Sequence, residues 1–445
     1  MKKPIQLSDH FTYGRLIRFT LPSIGMMIFT SVYSVVDGFF VSNFAGKTPF
    51  AAINLIMPFL MILGGVGFLF GTGGSALVAK TLGEGDKENA NRYFSMVLML
   101  TAITGAALSV IGIVFLRPIS YFLGASEEMI SDCVIYGRWI LGFNVAFMLQ
   151  NVFQSFLVTA ERPKLGLVFT VAAGVTNMVL DALFVAVFKW GVAGAAIATG
   201  LSQSVGGIIP LIFFMRSKTC AIKPVRTKIE ASPMIRACIN GSSELMSSIS
   251  SSIVGALYNF QLMRIAGKVG VAAYGVLMYV QFIFLAIFIG YSIGMSPIVS
   301  YHYGSGNKKE LKNLLLKGLC FMAVSGMVMF ALSRALAAPL ASIFVGYNEV
   351  AYEMTNHGFM IISFAFLPAG FNILSSAYFT ALNNGGVSAA ISFIRTLLFQ
   401  TLSVIVLPIL FDLEGVWWSI AAAEVFAFVV SAAFIIAKRK KYGYL

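Results

Sequence analysis

Residues 73–87 read GGSALVAKTLGEGDK, and residues 294–308 read GMSPIVSYHYGSGNK. Superimposed at an offset of 221 residues, the two stretches share Gly73 with Gly294, Ser75 with Ser296, Val78 with Val299, Gly83 with Gly304, Gly85 with Gly306 and Lys87 with Lys308. The same offset carries Ala45-Gly46-Lys47 with Ala51-Ala52 onto Ala266-Gly267-Lys268 with Ala272-Ala273, and Thr159-Ala160 onto Thr380-Ala381. Isolated matches are common where Gly and Ala abound. A single gap-free register across four helices is the mark of a duplicated chain.

The duplicated unit is membranous. Of the 445 residues 58% are hydrophobic and 11% charged, and the mean hydropathy is +0.86; soluble domains hold about 45–50% apolar and about 25% charged residues. No polar stretch of domain size separates the apolar runs, which excludes a soluble catalytic or DNA-binding domain. With about 20 apolar residues needed per crossing, the chain divides into twelve spans near 14–41, 52–80, 93–116, 131–158, 164–188, 191–215, 234–263, 272–302, 313–336, 351–381, 386–411 and 415–437. The expected fold class is an all-α polytopic membrane protein, with two pseudo-symmetric six-helix bundles around a central cleft. Six spans per unit is an even number, so both halves share one orientation and relate by an axis along the membrane normal, as in transporters with parallel repeats. Residues 1–216 form the N-lobe, 217–232 a basic linker, and 233–445 the C-lobe.

The net charge of +13 reads as topology. Alternate helix ends hold 23 Lys and Arg on the side of both termini, and six on the other: Lys47, Arg117, Lys189, Arg264, Lys268 and Arg334. Both termini are therefore expected in the cytoplasm of a cell (inner) membrane. By the same count the cytoplasmic side carries +16, the outer side −1 and the spans −2. The basic balance thus orients the chain and points to no nucleic acid. Met1-Lys2-Lys3 precedes a first apolar run without a small-residue cleavage site, as for a retained helix. Cys133, Cys220, Cys238 and Cys320 form no C-x-x-C or zinc pattern and read as packing residues.

Ionisable residues within spans are costly and mark function. Asp37 and Asp181 sit near the outer ends of helices 1 and 5, both roughly 9–12 Å below the surface at 1.5 Å per residue. Asn177 is one turn from Asp181 on the same face, and Thr199 of helix 6 reaches a similar depth. Two carboxylates, an amide and a hydroxyl make an oxygen-rich site for Na⁺, or a pair that shares a proton. The repeat register places Tyr258 opposite Asp37 and Leu402 opposite Asp181, so the acidic pair was not duplicated. In the second half Glu244 heads a polar stripe with Ser247, Ser248 and Ser251 toward Gly255 and Tyr258, as for a wet cavity wall. Arg395 and Glu244 lie at like depth, which allows a salt bridge across that bundle; a gating or substrate-binding role is the other reading of Arg395. Glu424 is read as a brace or a cavity-lining acid. Arg138 and His357 are read as structural. The 21 Met and 40 Phe suit a loosely specified lipophilic ligand.

Together these residues resemble the multidrug and toxic compound extrusion (MATE) family of the MOP superfamily, over essentially the whole chain. Pro22 fifteen residues before Asp37-Gly38-Phe39-Phe40-Val41 is similar to its first helix. Gly73-Gly74-Ser75 through Gly83-Glu84-Gly85-Asp86 resembles the second. Asn177 to Asp181, with Gly191-Val192-Ala193-Gly194-Ala195-Ala196, resembles helices 5 and 6, and Gly415-Val416-Trp417 with Ala423-Glu424 resembles helix 12. The resemblance implies a cation-coupled exporter with two six-helix lobes, and the chain is expected to act as a monomer. Asp37, Asn177, Asp181 and Thr199 match positions that form the proton or sodium site in the DinF-like branch, and Pro22 matches the proline where helix 1 bends. Glu244 falls where the NorM-like branch places an acidic coupling residue. One departure is Glu161-Arg162-Pro163-Lys164, where the family more often has glycine before the proline.

The expectation is an antiporter exporting organic cations or a lipophilic metabolite for H⁺ or Na⁺, with no other cofactor. The alternative is a flippase for a lipid-linked precursor, which calls for a more basic cavity. An intramembrane aspartyl protease fits poorly, since Gly83-Glu84-Gly85-Asp86 lies at a helix end and not at mid-membrane. An uncoupled channel is a further reading. No H-E-x-x-H or G-x-S-x-G occurs, so no enzyme is expected.

Overall fold

A computed structural model describes residues 5–217 and 220–444, without the side chains of Ser42, Ala45 and Lys47. Lys2, Lys3 and Lys218, and the side chain of Lys47, all counted above for topology, lie outside the described residues. Helices joined by short turns make up nearly all of the described residues, with no strand among them. Its spans are α1 (Tyr13–Phe40), α2 (Lys47–Gly83), α3 (Lys87–Phe122), α4 (Glu127–Gly142 with Asn144–Thr159), α5 (Pro163–Asp181) and α6 (Gly191–Arg216). In the second half they are α7 (231–266), α8 (268–304), α9 (Lys308–Val345), α10 (Glu349–Ala381), α11 (385–410) and α12 (413–442). Helices α7 and α8 are parted by a backbone break at Gly267, and α11 and α12 by one at Phe411 and Asp412. The two parts of α4 meet at 55°.

The duplication is written into the turns. Gly46 and Gly267, 221 residues apart, both take positive φ, at 105° and 60°, where the chain passes from the first to the second helix of each half. Gly85 and Gly306 do so before the third, a backbone conformation that costs a residue with a Cβ. Asp86 then caps α3 through the Asn89 N–H at 3.0 Å, and its repeat partner Asn307 caps α9 through the Glu310 N–H at 3.1 Å. Each cap satisfies a helix-end donor that would otherwise go without a partner.

Packing between the bundles is concentrated at the end that carries both termini. There the core joins Leu16, Phe19 and Ile24 of α1 to Phe288, Tyr291 and Met295 of α8. A second cluster brings Met234 of α7 among residues of α2 to α6. Backbone meets backbone at this seam. A Cβ on Gly83 would lie 2.0 Å from the Tyr301 carbonyl oxygen, and one on Gly304 would lie 2.0 Å from that of Lys80. Lys80 and Tyr301 are themselves repeat partners, so the two contacts exchange under the pseudo-two-fold axis. At the opposite end the described core clusters stay within one bundle, from Val41 to Ala196 in the first and from Val254 to Ala421 in the second. The described core clusters therefore join the bundles at the terminal end and not at the other.

Outward-facing apolar residues such as Val110, Val114, Phe122 and Ile343 are exposed. Hydrocarbon is the solvent that accommodates them.

Candidate functional site

Close packing of α1 on α5 brings the two aspartates together. Gly174 makes it sterically feasible, because a Cβ there would lie 2.4 Å from the Phe29 ring and 3.0 Å from the Tyr33 ring. Seven residues beyond Gly174 stands Asp181, fully buried, and four beyond Tyr33 stands Asp37. Asp37 is within hydrogen-bonding reach of both Asp181 and Asn177. The Asn177 amide donates to Thr199 Oγ1 at 3.5 Å. The four N-lobe residues singled out from the sequence thus converge on one point between α1, α5 and α6.

Donors are scarce at that point. Among the described residues, Asp37 Oδ1, both oxygens of Asp181 and Asn177 Oδ1 are buried with no donor to pair them. Two carboxylates can sit in mutual hydrogen-bonding contact only if a proton lies between them or a cation bridges them, because bare carboxylate oxygens only accept. A buried oxygen set of this kind fits a proton or a small hard cation such as Na⁺. Asn177, Thr199 and the two aspartates would hold it.

Both acids border a change of helical period. Residues Val41–Ala45 continue α1 as π-helix, starting four residues after Asp37, and Ala182–Val187 continue α5 as π-helix directly after Asp181. Such insertions recur at functional sites because they aim side chains that a regular helix could not.

Three tyrosines complete the site and were missed in the sequence. The buried hydroxyl of Tyr136, on α4, is within hydrogen-bonding reach of Thr199 and feels both aspartates. Tyr33 lies beside Asp37 on α1. Tyr279 approaches from α8 of the other lobe, with its hydroxyl oxygen 4.0 Å from where a Gly38 Cβ would stand. Nothing in the local pattern around Tyr136 marks it, since its role depends on α4 crossing α6.

The C-lobe corrects several expectations. Arg395 does not pair with Glu244. Its Nε donates to both Glu424 oxygens at 3.0 Å and its Nη2 to Oε1 at 2.8 Å, while Asn372 Nδ2 donates to Glu424 Oε2 at 2.7 Å. Depth along two helices placed Glu244 and Arg395 level, but the rotation of α12 presents Glu424 first. Glu424 is 3% exposed and braces α10, α11 and α12 instead of lining the cleft. Tyr258 is likewise no cavity wall. It is 1% exposed and stacks on Tyr274, with centroids 5.0 Å apart, inside the C-lobe core. Ser251 is exposed but donates to its own helix at the Ser247 carbonyl, 2.8 Å away. Glu244 is left without an ion pair among the described residues and feels Arg395 only at longer range. Its neighbours Leu245 and Ser248 meet Gly65 of α2 at the seam. Pro22 is buried within α1, which runs through it unbroken. His357 pairs with Glu414 at 2.5 Å.

Two six-helix bundles packed together at one end, with a buried ionisable cluster between α1, α5 and α6, are the parts of a membrane transporter. The chain belongs to the MatE family, whose model matches residues 22–183 and 245–405. As in the rest of that family it is a transporter and not an enzyme. It is 27% identical over 83% of its length to the "FAD transporter" of Shewanella oneidensis, of which 81% is covered. It is 23% identical over 92% of its length to "Multidrug export protein MepA" of Staphylococcus saprophyticus, of which 90% is covered. A solved structure described as the outward-facing conformation of a multidrug resistance MATE family transporter of the MOP superfamily matches with a TM-score of 0.90. That match has 22% identity and covers 99% of both chains.

Proposed function

We propose that the chain is an antiporter of the inner membrane that exports an organic cation or lipophilic solute from the cytoplasm in exchange for H⁺ or Na⁺. The basic bias of the helix ends supports a cytoplasmic position for the packed, terminus-bearing end, and with it a cleft that opens outward. The carrying observation is the contact of Asp37 with Asp181 in a pocket of buried oxygens that lack donors. The site takes its cation from the outside, and its occupation favours release of cargo; return of the cation to the cytoplasm resets the site. The two lobes, divided near residues 217–232, rock about the seam as a monomer.

Glu244 points to a cationic cargo. Arg395 is neutralised by Glu424, which leaves Glu244 as an acid of the C-lobe spans with no ion pair among the described residues. A diphosphate-bearing lipid carrier would want the reverse. The names of the relatives, a multidrug exporter and a FAD transporter, likewise support solute export. A tenfold cation gradient supplies about 1.4 kcal/mol per ion, so one-for-one exchange concentrates cargo about tenfold.

The test is ethidium transport in proteoliposomes under an imposed pH or sodium gradient. Asp37→Asn and Asp181→Asn should each abolish gradient-driven movement while leaving the protein folded in detergent. Full transport by both variants would overturn the assignment. The gradient that drives the wild type identifies the ion.

A further inference from the structure

The segment before α1 bridges the two lobes. Residues 5–12 are not helical, yet Leu7 and Phe11 are 1% and 0% exposed, sunk into the core that joins α1 to α8, α9 and α10. On the N-lobe side, Glu161 Oε1 accepts the Leu7 N–H at 2.7 Å. Glu161 stands in the tight turn between α4 and α5 with φ 62°, at the position where the sequence departs from the family pattern. On the C-lobe side, Glu310 of α9 accepts the Phe11 N–H through Oε1 at 2.9 Å and faces His10 Nδ1 through Oε2 at 2.7 Å. Asn313 Nδ2 and Lys317 Nζ donate to the Phe11 carbonyl at 3.0 and 2.5 Å. Asp9 is fixed in turn by Arg15 at 2.7 Å, and the buried ring of His302 lies against Leu7 and Asp9.

We infer that residues 7–11 are an interlobe clasp with two positioning residues: Glu161 fixes the segment to the N-lobe, and Glu310 holds the cytoplasmic side shut and must release it in each transport cycle. The segment belongs to the N-lobe by its continuity with α1 and by the Glu161 bond. It offers the backbone of Phe11 as a tooth to α9 of the C-lobe. An inward opening draws α9 away from α1, so the bonds from Glu310, Asn313 and Lys317 break together. Burial alone would raise the Glu310 carboxyl. The Phe11 N–H, His10 and Asn313 outweigh it and hold the group below the usual carboxylate range, so it meets Phe11 as an anion, whose hydrogen bonds are the stronger kind. Because the same helix carries Asp37 at its far end, the clasp ties the grip on the cytoplasmic side to the element that bears the cation site.

The inference rests on the alternating-access reading, and one reporter separates the two. Thr20 is fully buried at the α1–α8 seam, so Thr20→Cys, with the four native cysteines replaced, meets a membrane-impermeant maleimide in inside-out vesicles only when that side opens. Labelling of this otherwise unaltered chain that never changes with gradient or ethidium would overturn alternating access itself. Given gradient-dependent labelling, Glu310→Ala and Glu161→Ala should each raise its rate roughly tenfold, as expected for loss of a charge-assisted hydrogen bond. Hydrogen exchange at the Leu7 and Phe11 amides should rise in step. Glu161→Gln keeps an acceptor oxygen and should restore the slow rate, which a merely charged role for Glu161 would not. If Glu310→Ala does not fold, Asn313→Ala with Lys317→Met is read in the same way. Released amides with unchanged labelling would overturn the clasp, as would unreleased amides in every variant.

Discussion

Adding one methyl at the seam should shift which side of the transporter is open. Gly83→Ala places a Cβ 2.0 Å from the Tyr301 carbonyl oxygen, where ordinary contact begins at 3.4 Å, so α2 and α8 must part by roughly 1.4 Å. The obstacle is backbone on both sides, which cannot rotate away as a side chain would. Overpacking of this sort costs about 1–3 kcal/mol, and the cost falls only on the state in which the cytoplasmic end is closed. The population of that state relative to the inward-open one should therefore drop about 5- to 150-fold. Gly304→Ala meets the Lys80 carbonyl at the same 2.0 Å, so pseudo-symmetry demands an effect of like size. Gly386→Ala, with nothing within 4 Å, is the control. The assay is maleimide labelling of Thr20→Cys in inside-out vesicles, with ethidium transport alongside. Both seam variants should label faster and transport more slowly than the control. Labelling equal to Gly386→Ala, or a large difference between Gly83→Ala and Gly304→Ala, would refute both the closed seam and its symmetry.

Arg395→Met strands Glu424 among buried neighbours and should cost about 3–5 kcal/mol, whereas Arg395→Met with Glu424→Gln should recover most of it; thermal unfolding in detergent checks this. Tyr136→Phe removes the hydroxyl near Thr199 and should weaken the coupling cation about two- to tenfold, the worth of one net hydrogen bond, read as the apparent cation affinity in transport. Pro22→Ala restores a backbone donor inside α1, where proline costs about 3 kcal/mol relative to alanine. It should stabilise the helix yet slow turnover, and an unchanged transport rate would remove Pro22 as a hinge.

Much of the N-lobe site was legible because it depends on quantities that run along the chain. Depth follows from counting residues at a fixed rise, so Asp37 and Asp181 could be placed at one level before any neighbour was known. Asn177 followed from helical spacing. The C-lobe misled for the complementary reason. Arg395 and Glu244 share a depth, but depth does not say which of two acids a guanidinium faces, and Glu424 holds it from a helix whose rotation the sequence leaves open.

By itself the sequence determined twelve spans, their grouping into two like halves and the turns where they repeat, since hydropathy, glycine at positive φ and capping residues all act locally. The tertiary structure decided that Tyr136 and Tyr279 attend the aspartates, that the bundles pack together at the end bearing the termini, and that Glu161 and Glu310 seize the segment before α1. In a soluble helix a polar face marks the outside and so fixes rotation. In a bilayer both the lipid face and the packed face are apolar, so which residues meet across helices is settled by the close fit of small residues such as Gly83, Gly174 and Gly304 against their neighbours.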